Sequence, residues 1–405
     1  MSLDRRAFLR RSAALGAASL AGAGAATAAT ADGDSDNNAT NTTNNPLDAS
    51  VAFDGPHQPG ILTAPGAQAT FVALDAIAAD REALLAGLAT LSSQARLLAK
   101  GYSFGIREPS EPPPDSGMLG TTIAPDRLTT TIAFGASLFD DRYGLAAKRP
   151  DGLTRMPHFA GDAIDPDRAH GDVLLTIDAA QRDTVVHAVR ELLRPLRGQF
   201  AIRWIIDGFT AADRGPTPHS ARRNLFGFRD GTANPAGAQR DGLLWDAAGG
   251  TFQVVRTIRM HTEFWDRVGL MEQQNMIGRT RDSGAPIGGE QERQDPRYDL
   301  DPRGARIPLD AHIRLANPRT AETAAQRILR KSFNYHGGVD AAGQLDQGLV
   351  FVAYNKSIQQ QFEVIQRRLA GEPMTDYVTP VGGGYFYLPR GTRGATDWVG
   401  AALLT

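Results

Sequence analysis

The run Ala69-Thr70-Phe71-Val72-Ala73-Leu74-Asp75 is short, apolar and strand-like, and it leads into residues 81–98, where Leu and Ala recur at helical spacing. A strand feeding an amphipathic helix is one β–α unit. Working outward, residues 128–134 and 172–178 read as strands, 182–196 as an amphipathic helix stopped near Pro195, and 200–209 as a closing strand. The same order, β-α-β-β-α-β, returns in the second half. There 251–261 is a strand, 263–277 a helix, 331–335 and 349–354 strands, 358–370 a helix and 385–388 the last strand. The economical reading is an α+β fold of two tandem ferredoxin-like units, with antiparallel sheets packed face to face and helices outside. The domain limits that follow are 51–215 and 216–405.

Three insertions interrupt the repeat: 108–120 with Pro112-Pro113-Pro114, 142–168, and the charged stretch 279–306. The last leads directly to His312, so it is placed to form one wall of a site there.

With 405 residues, 41% of them hydrophobic, the chain can bury a large core, and a net charge of −2 gives no general attraction to nucleic acid. Cysteine is absent. Disulfides, thiolate zinc sites, iron–sulfur clusters and covalent c-type haem are thereby excluded, leaving histidine and carboxylates as the strong metal ligands.

Residues 4–10 carry Arg5-Arg6 ahead of a weakly apolar Ala/Gly run, followed by A-x-A sites near Ala26-Thr27-Ala28 and Ala29-Thr30-Ala31. This pattern resembles a twin-arginine export signal, here 1–31, and it is too weakly apolar for a membrane span. The translocase of that route is then a partner during export, and the destination is periplasmic or extracellular. Residues 32–50, rich in Asn, Thr and Asp, read as a disordered linker.

Two stretches carry the chemistry. In Gly227-Phe228-Arg229-Asp230-Gly231-Thr232-Ala233-Asn234-Pro235 a carboxylate stands on a turn whose Gly231 permits close approach of a ligand. The second, Asp310-Ala311-His312-Ile313-Arg314-Leu315-Ala316-Asn317-Pro318-Arg319, is followed by Arg327-Ile328-Leu329-Arg330. Together they resemble the dye-decolourising peroxidases, whose G-x-x-D-G motif supplies a distal Asp, whose later His ligates haem iron, and whose distal Arg lies eighteen residues beyond that His. Here the eighteenth residue beyond His312 is Arg330. The resemblance is closest to an exported branch linked to bacterial iron uptake.

The resemblance implies non-covalent haem b, one per chain, with His312 as the metal ligand and Asp230 and Arg330 as the catalytic pair acting on hydrogen peroxide. It also implies haem contacts at Gly231, Thr232, Ala233, Asn317, Pro318, Arg319, Arg330, Leu349 and Phe351, with Arg314 and Arg319 placed to meet propionates. An aromatic electron donor is the expected co-substrate. Iron-uptake proteins and a second copy of the chain are candidate partners. Release of iron from intact porphyrin and haem carriage without turnover are the rival functions. The acceptor for the second ring nitrogen of His312 stays open, Asp310 being near in sequence. Of the other seven histidines, His187 reads as a packing residue at a helix boundary, and no H-x-x-x-H or H-E-x-x-H set supports a zinc site.

Overall fold

The computed structural model describes residues 45–105, 108–212, 214 and 221–405. The export signal and most of the 32–50 linker therefore lie outside the described residues, as does most of the segment around the domain boundary at 215. The end of the presumed linker is attached: Pro46–Asp48 forms a 3₁₀ turn, and Leu47 and Ala49 carbonyls accept from the Asp126 and Arg127 N–H groups.

Four strands build the first half: β1 (Gln68–Ala76), β2 (Thr129–Gly135), β3 (Val173–Ala179) and β4 (Phe200–Phe209). They hydrogen-bond antiparallel in the order β2-β3-β1-β4. The second half has β5 (Thr251–Met260), β6 (Phe333–Val339), β7 (Leu345–Asn355) and β8 (Val378–Leu388) in the matching order β6-β7-β5-β8. Each sheet thus has the strand order of a ferredoxin-like unit, and the two face one another across Phe71, Leu174, Trp204, Phe333, Val350, Val352 and Phe386. The sheets also join at both edges. Phe386 and Tyr387 of β8 pair with Gly135 and Phe134 of β2, while Phe209 of β4 pairs with Asn334 of β6. The result is one closed ring in place of two separate sheets, because the outer edges of β4 and β8 each pair with a strand of the other half.

The outer faces of the two halves differ, and that difference creates the site. In the first half α1 (Arg81–Lys100) and α2 (Arg182–Leu193) lay Leu84, Leu88, Leu91, Val185, Ala188 and Leu192 on Val72, Leu74, Ile132 and Leu175. Each buried Leu, Ile or Val side chain there contributes about 1.5–3 kcal/mol. Asp80 caps α1 by accepting from the Ala83 N–H at 2.8 Å.

The corresponding elements of the second half are cut short. The predicted 263–277 helix breaks into Thr262–Trp265 and α4 (Leu270–Ile277), Gly269 standing at the break, with α3 (Gly237–Leu244) preceding β5. The predicted 358–370 helix is a π-turn, Ile358–Phe362, followed by α6 (Glu363–Arg368). Short helices leave the outer face of β5, β7 and β8 uncovered, and the loops around α5 (His312–Ala316) enclose the space.

Three strand limits also differ from expectation, β7 starting at Leu345, four residues before the expected 349. The strand expected at 331–335 is Phe333–Val339, with a separate two-residue strand, Leu329–Arg330, pairing with Tyr354 and Ala353. The last strand starts at Val378, seven residues before the expected 385, because Pro380 and Gly382-Gly383-Gly384 hide a strand that bulges between Pro380 and Gly382.

Candidate active site

The enclosed space is a cleft with about 1880 Å³ of empty volume, including its open mouth. Alternation along β7 sends Val350 and Val352 between the sheets and Leu349 and Phe351 into the cleft. Arg256, Ile258 and Met260 of β5 extend the same wall, and Ile365, Leu369 and Met374 add further apolar surface. The charged excursion contributes Arg279, Pro296 and Tyr298, as the chain order suggested, and the 142–168 insertion reaches in with Ala160 and Gly161.

The Asp230 loop is held from several sides. Asn224 accepts from the Phe226 and Phe228 N–H groups at 3.1 and 3.2 Å, and both phenyl rings pack on buried Trp265. Gly231 has φ +86°, which a side chain would strain. Beyond it the Asn234 amide exchanges hydrogen bonds with the backbone of Arg330, donating to its carbonyl at 2.8 Å and accepting from its N–H at 2.9 Å. This reciprocal clamp sets Asp230 beside Arg330, and their side chains form an ion pair. The Arg330 guanidinium lies 5.7 Å from the Phe351 ring, and burial pushes its pKa down to about 10. It remains a cation at neutral pH.

His312 opens α5, its Nδ1 against the Glu372 carboxylate at 2.8 and 3.1 Å. Burial opposes charge on the ring, but Glu372, by charge and hydrogen bond, outweighs it and raises the pKa above the ordinary imidazole value. With Nδ1 donating to Glu372, Nε2 is the ring nitrogen left to bind a metal. Neither Asp310 nor any sequence spacing pointed to Glu372, which lies sixty residues on, in the segment after α6. α4 ends on Gly278 (φ +90°), where a Cβ would meet Ile313 at 2.6 Å, so the glycine lets α5 lie close.

Of the residues expected to touch the cofactor, Gly231, Thr232, Ala233, His312, Asn317, Arg319, Arg330, Leu349 and Phe351 all line the cleft together with Asp230. Pro318 does not, since the chain turns there between two lining residues and Arg319 takes φ +60°. Arg314 is also displaced from its expected place. Its guanidinium bonds Asp301 and the Ile307 carbonyl and stacks on Tyr298 at 4.8 Å, so it braces the excursion and is not a wall of the cleft. Sequence reading missed Arg327, which donates to the Ala233 carbonyl at 3.0 Å, and Glu292, which accepts from Thr232 at 2.9 Å.

The residues fit a haem. The cleft has apolar walls, an imidazole with one nitrogen already engaged, and several guanidinium groups able to meet carboxylates. Comparison with known proteins agrees. Residues 58–210 match the family model "Dyp-type peroxidase, N-terminal", and 221–393 match "Dyp-type peroxidase, C-terminal". The deferrochelatase of Escherichia coli K12 is 43% identical over 380 residues, covering 87% of this chain and 86% of its own, and that of Yersinia pestis is 41% identical over 371 residues, covering 87% and 84%. Among solved structures, ferric DtpA from Streptomyces lividans superposes with a TM-score of 0.81 at 32% identity, covering 90% of this chain and all of the other. The Dyp-type peroxidase from Cellulomonas bogoriensis gives 0.79 at 34% identity, covering 89% and 99%. By sequence over both halves and by fold, the chain belongs to the Dyp-type peroxidases, a family of haem enzymes.

Proposed function

We propose that this protein reduces hydrogen peroxide and oxidises bulky phenolic or dye-like donors, using one non-covalent haem b per chain. The observation that carries the reading is the Asp230–Arg330 ion pair lining the same cleft as His312. When bound, the haem supplies an iron that accepts peroxide and holds oxidising equivalents for the donor. The chain's residues do the rest. His312 offers Nε2 to iron, and Glu372 fixes the ring and makes it a stronger donor. Asp230 takes a proton from one peroxide oxygen and returns it to the other, and the Arg330 cation stabilises negative charge as the O–O bond lengthens. The absorption spectrum of the purified protein before and after one equivalent of peroxide tests this. A shifted Soret band is expected, and an unchanged band in haem-loaded protein would overturn the reading.

Release of iron from haem with the porphyrin intact is the second reading, favoured by the deferrochelatase names of relatives 43% identical. Fluorescent metal-free porphyrin accumulating under reducing conditions supports it. A carrier without turnover has no use for Asp230 beside Arg330. We further infer export by the twin-arginine route, so Arg5→Lys with Arg6→Lys should leave active precursor inside the cell, where normal secretion of that variant would refute the inference.

A further inference from the structure

A second group of ligating side chains lies away from the haem cleft. Asp115, His187 and Glu191 are each buried, and one nitrogen or oxygen from each lies within 4.8 Å of the others. His187 and Glu191 stand one turn apart on α2 and so share a face. Asp115 comes from the proline-rich insertion and reaches His187 Nε2 with Oδ2 at 2.9 Å. The imidazole expected to be boundary packing is therefore enclosed among carboxylates.

The carboxylate of Asp115 is oriented with care. Its Oδ1 accepts from the Gly117 N–H at 2.7 Å, while Oδ2 takes the Tyr102 hydroxyl as well as His187. Glu191 Oε1 accepts from the Ser116 N–H and from Arg194, both at 3.0 Å. None of the cluster lines the haem cleft.

We propose that Asp115, His187 and Glu191 form a structural site for a divalent transition ion, zinc by preference, that clips the 108–120 insertion to α2. One imidazole with two carboxylates is a donor set suited to zinc, water completing the tetrahedron. Bonds of about 2.0–2.2 Å are reached by rotating Glu191, whose side chain has three torsions, and by the Asp115 carboxylate and His187 ring moving slightly apart from their 2.9 Å hydrogen-bond distance. Binding forms the zinc–Nε2 and zinc–oxygen bonds and displaces the proton between Nε2 and Asp115: in a neutral imidazole that proton moves to Nδ1, and in an imidazolium, whose Nδ1 already carries one, it passes to solvent. Tyr102 stays outside the ion and orients Asp115. Among residues 108–120 only Asp115 is buried, so an ion there adds to the hydrogen bonds that already join the insertion to Tyr102, His187 and Glu191.

The test uses full-length haem-loaded protein dialysed against a chelator, then titrated with Zn²⁺ by calorimetry, with total zinc and iron counted by elemental analysis. One zinc per chain beyond the haem iron is expected, with slower proteolysis within 105–121 once zinc is added. Glu191→Gln keeps an acceptor for Ser116 and Arg194 but should weaken zinc binding by roughly 100-fold, and Tyr102→Phe by about 10–100-fold. His187→Gln should abolish binding. If it fails to fold, the other two variants decide. Peroxide reactivity should be the same throughout, which separates this site from the haem reading. Wild-type protein that takes up no zinc, or takes it up as Glu191→Gln does, would overturn the site.

Discussion

Asp230 and Arg330 can be separated from His312 by the different work proposed for each. Asp230→Asn keeps size and hydrogen bonding but cannot shuttle a proton, so haem should stay bound while reaction with peroxide slows by about 10²–10⁴-fold in stopped flow. Arg330→Leu removes the cation and should cost about 10²–10³-fold. The double variant should lose much less than the product, since both side chains act on one transition state. Parent-rate reaction in the Asp230→Asn protein would remove Asp230 from the mechanism. The pH–rate profile belongs to this scale too. Because burial lowers Arg330 only to about 10, it stays charged through the acid and neutral range, and any change there comes from other groups. A carboxylate shuttles protons best near its ordinary range, at about 3.9, so turnover should rise from neutrality toward pH ~4–5. An optimum above pH ~8 would argue against a carboxylate in that role.

Between elements, the link most open to test joins α5 to the segment after α6 through His312 and Glu372. Glu372→Gln keeps an acceptor but not the charge, so iron should be held less firmly. About 10–100-fold faster haem loss to apomyoglobin is expected, with a raised iron reduction potential. Unchanged haem retention and potential would make Glu372 a packing residue. This link also marks what the sequence could show. The strand and helix order was legible because period-2 and period-3.6 patterns survive burial, and the Asp230, His312 and Arg330 positions were legible through motif and spacing. Glu372 was not, since contact across sixty residues leaves no local trace. The start of β8 at Val378 was hidden by Pro380 and three glycines, residues that ordinarily mark loops. Arg314 misled for the opposite reason. It stands two residues from His312, yet helical geometry turns it toward Asp301.

For the molecule as a whole, one junction ties the start and end of the fold to α1. The buried Arg96 holds Asp54 at 2.8 Å and donates to the Gly394 and Asp397 carbonyls, and Thr392 donates to the same carboxylate. The hydrogen bond from Arg96 is the main reason that Asp54 titrates below its ordinary value. Its stabilising contribution is therefore full above the unfolded pKa of ~3.9 and fades as pH falls through the folded value. Asp54→Asn should lower stability by about 1–3 kcal/mol near neutrality, discounted for partial exposure, and the gap should close in strong acid. A gap that widened on acidification would refute this assignment. The closed ring also bears on how the chain acquires its fold. The ring closes only when β8 reaches β2, so a polypeptide emerging from the ribosome keeps two unpaired sheet edges until β8 has been made. Pairings so distant in sequence form slowly. A nascent chain of this protein spends that interval exposed to strand-to-strand aggregation, and its yield in the cell should depend on chaperone supply during synthesis more than on the stability of the finished ring.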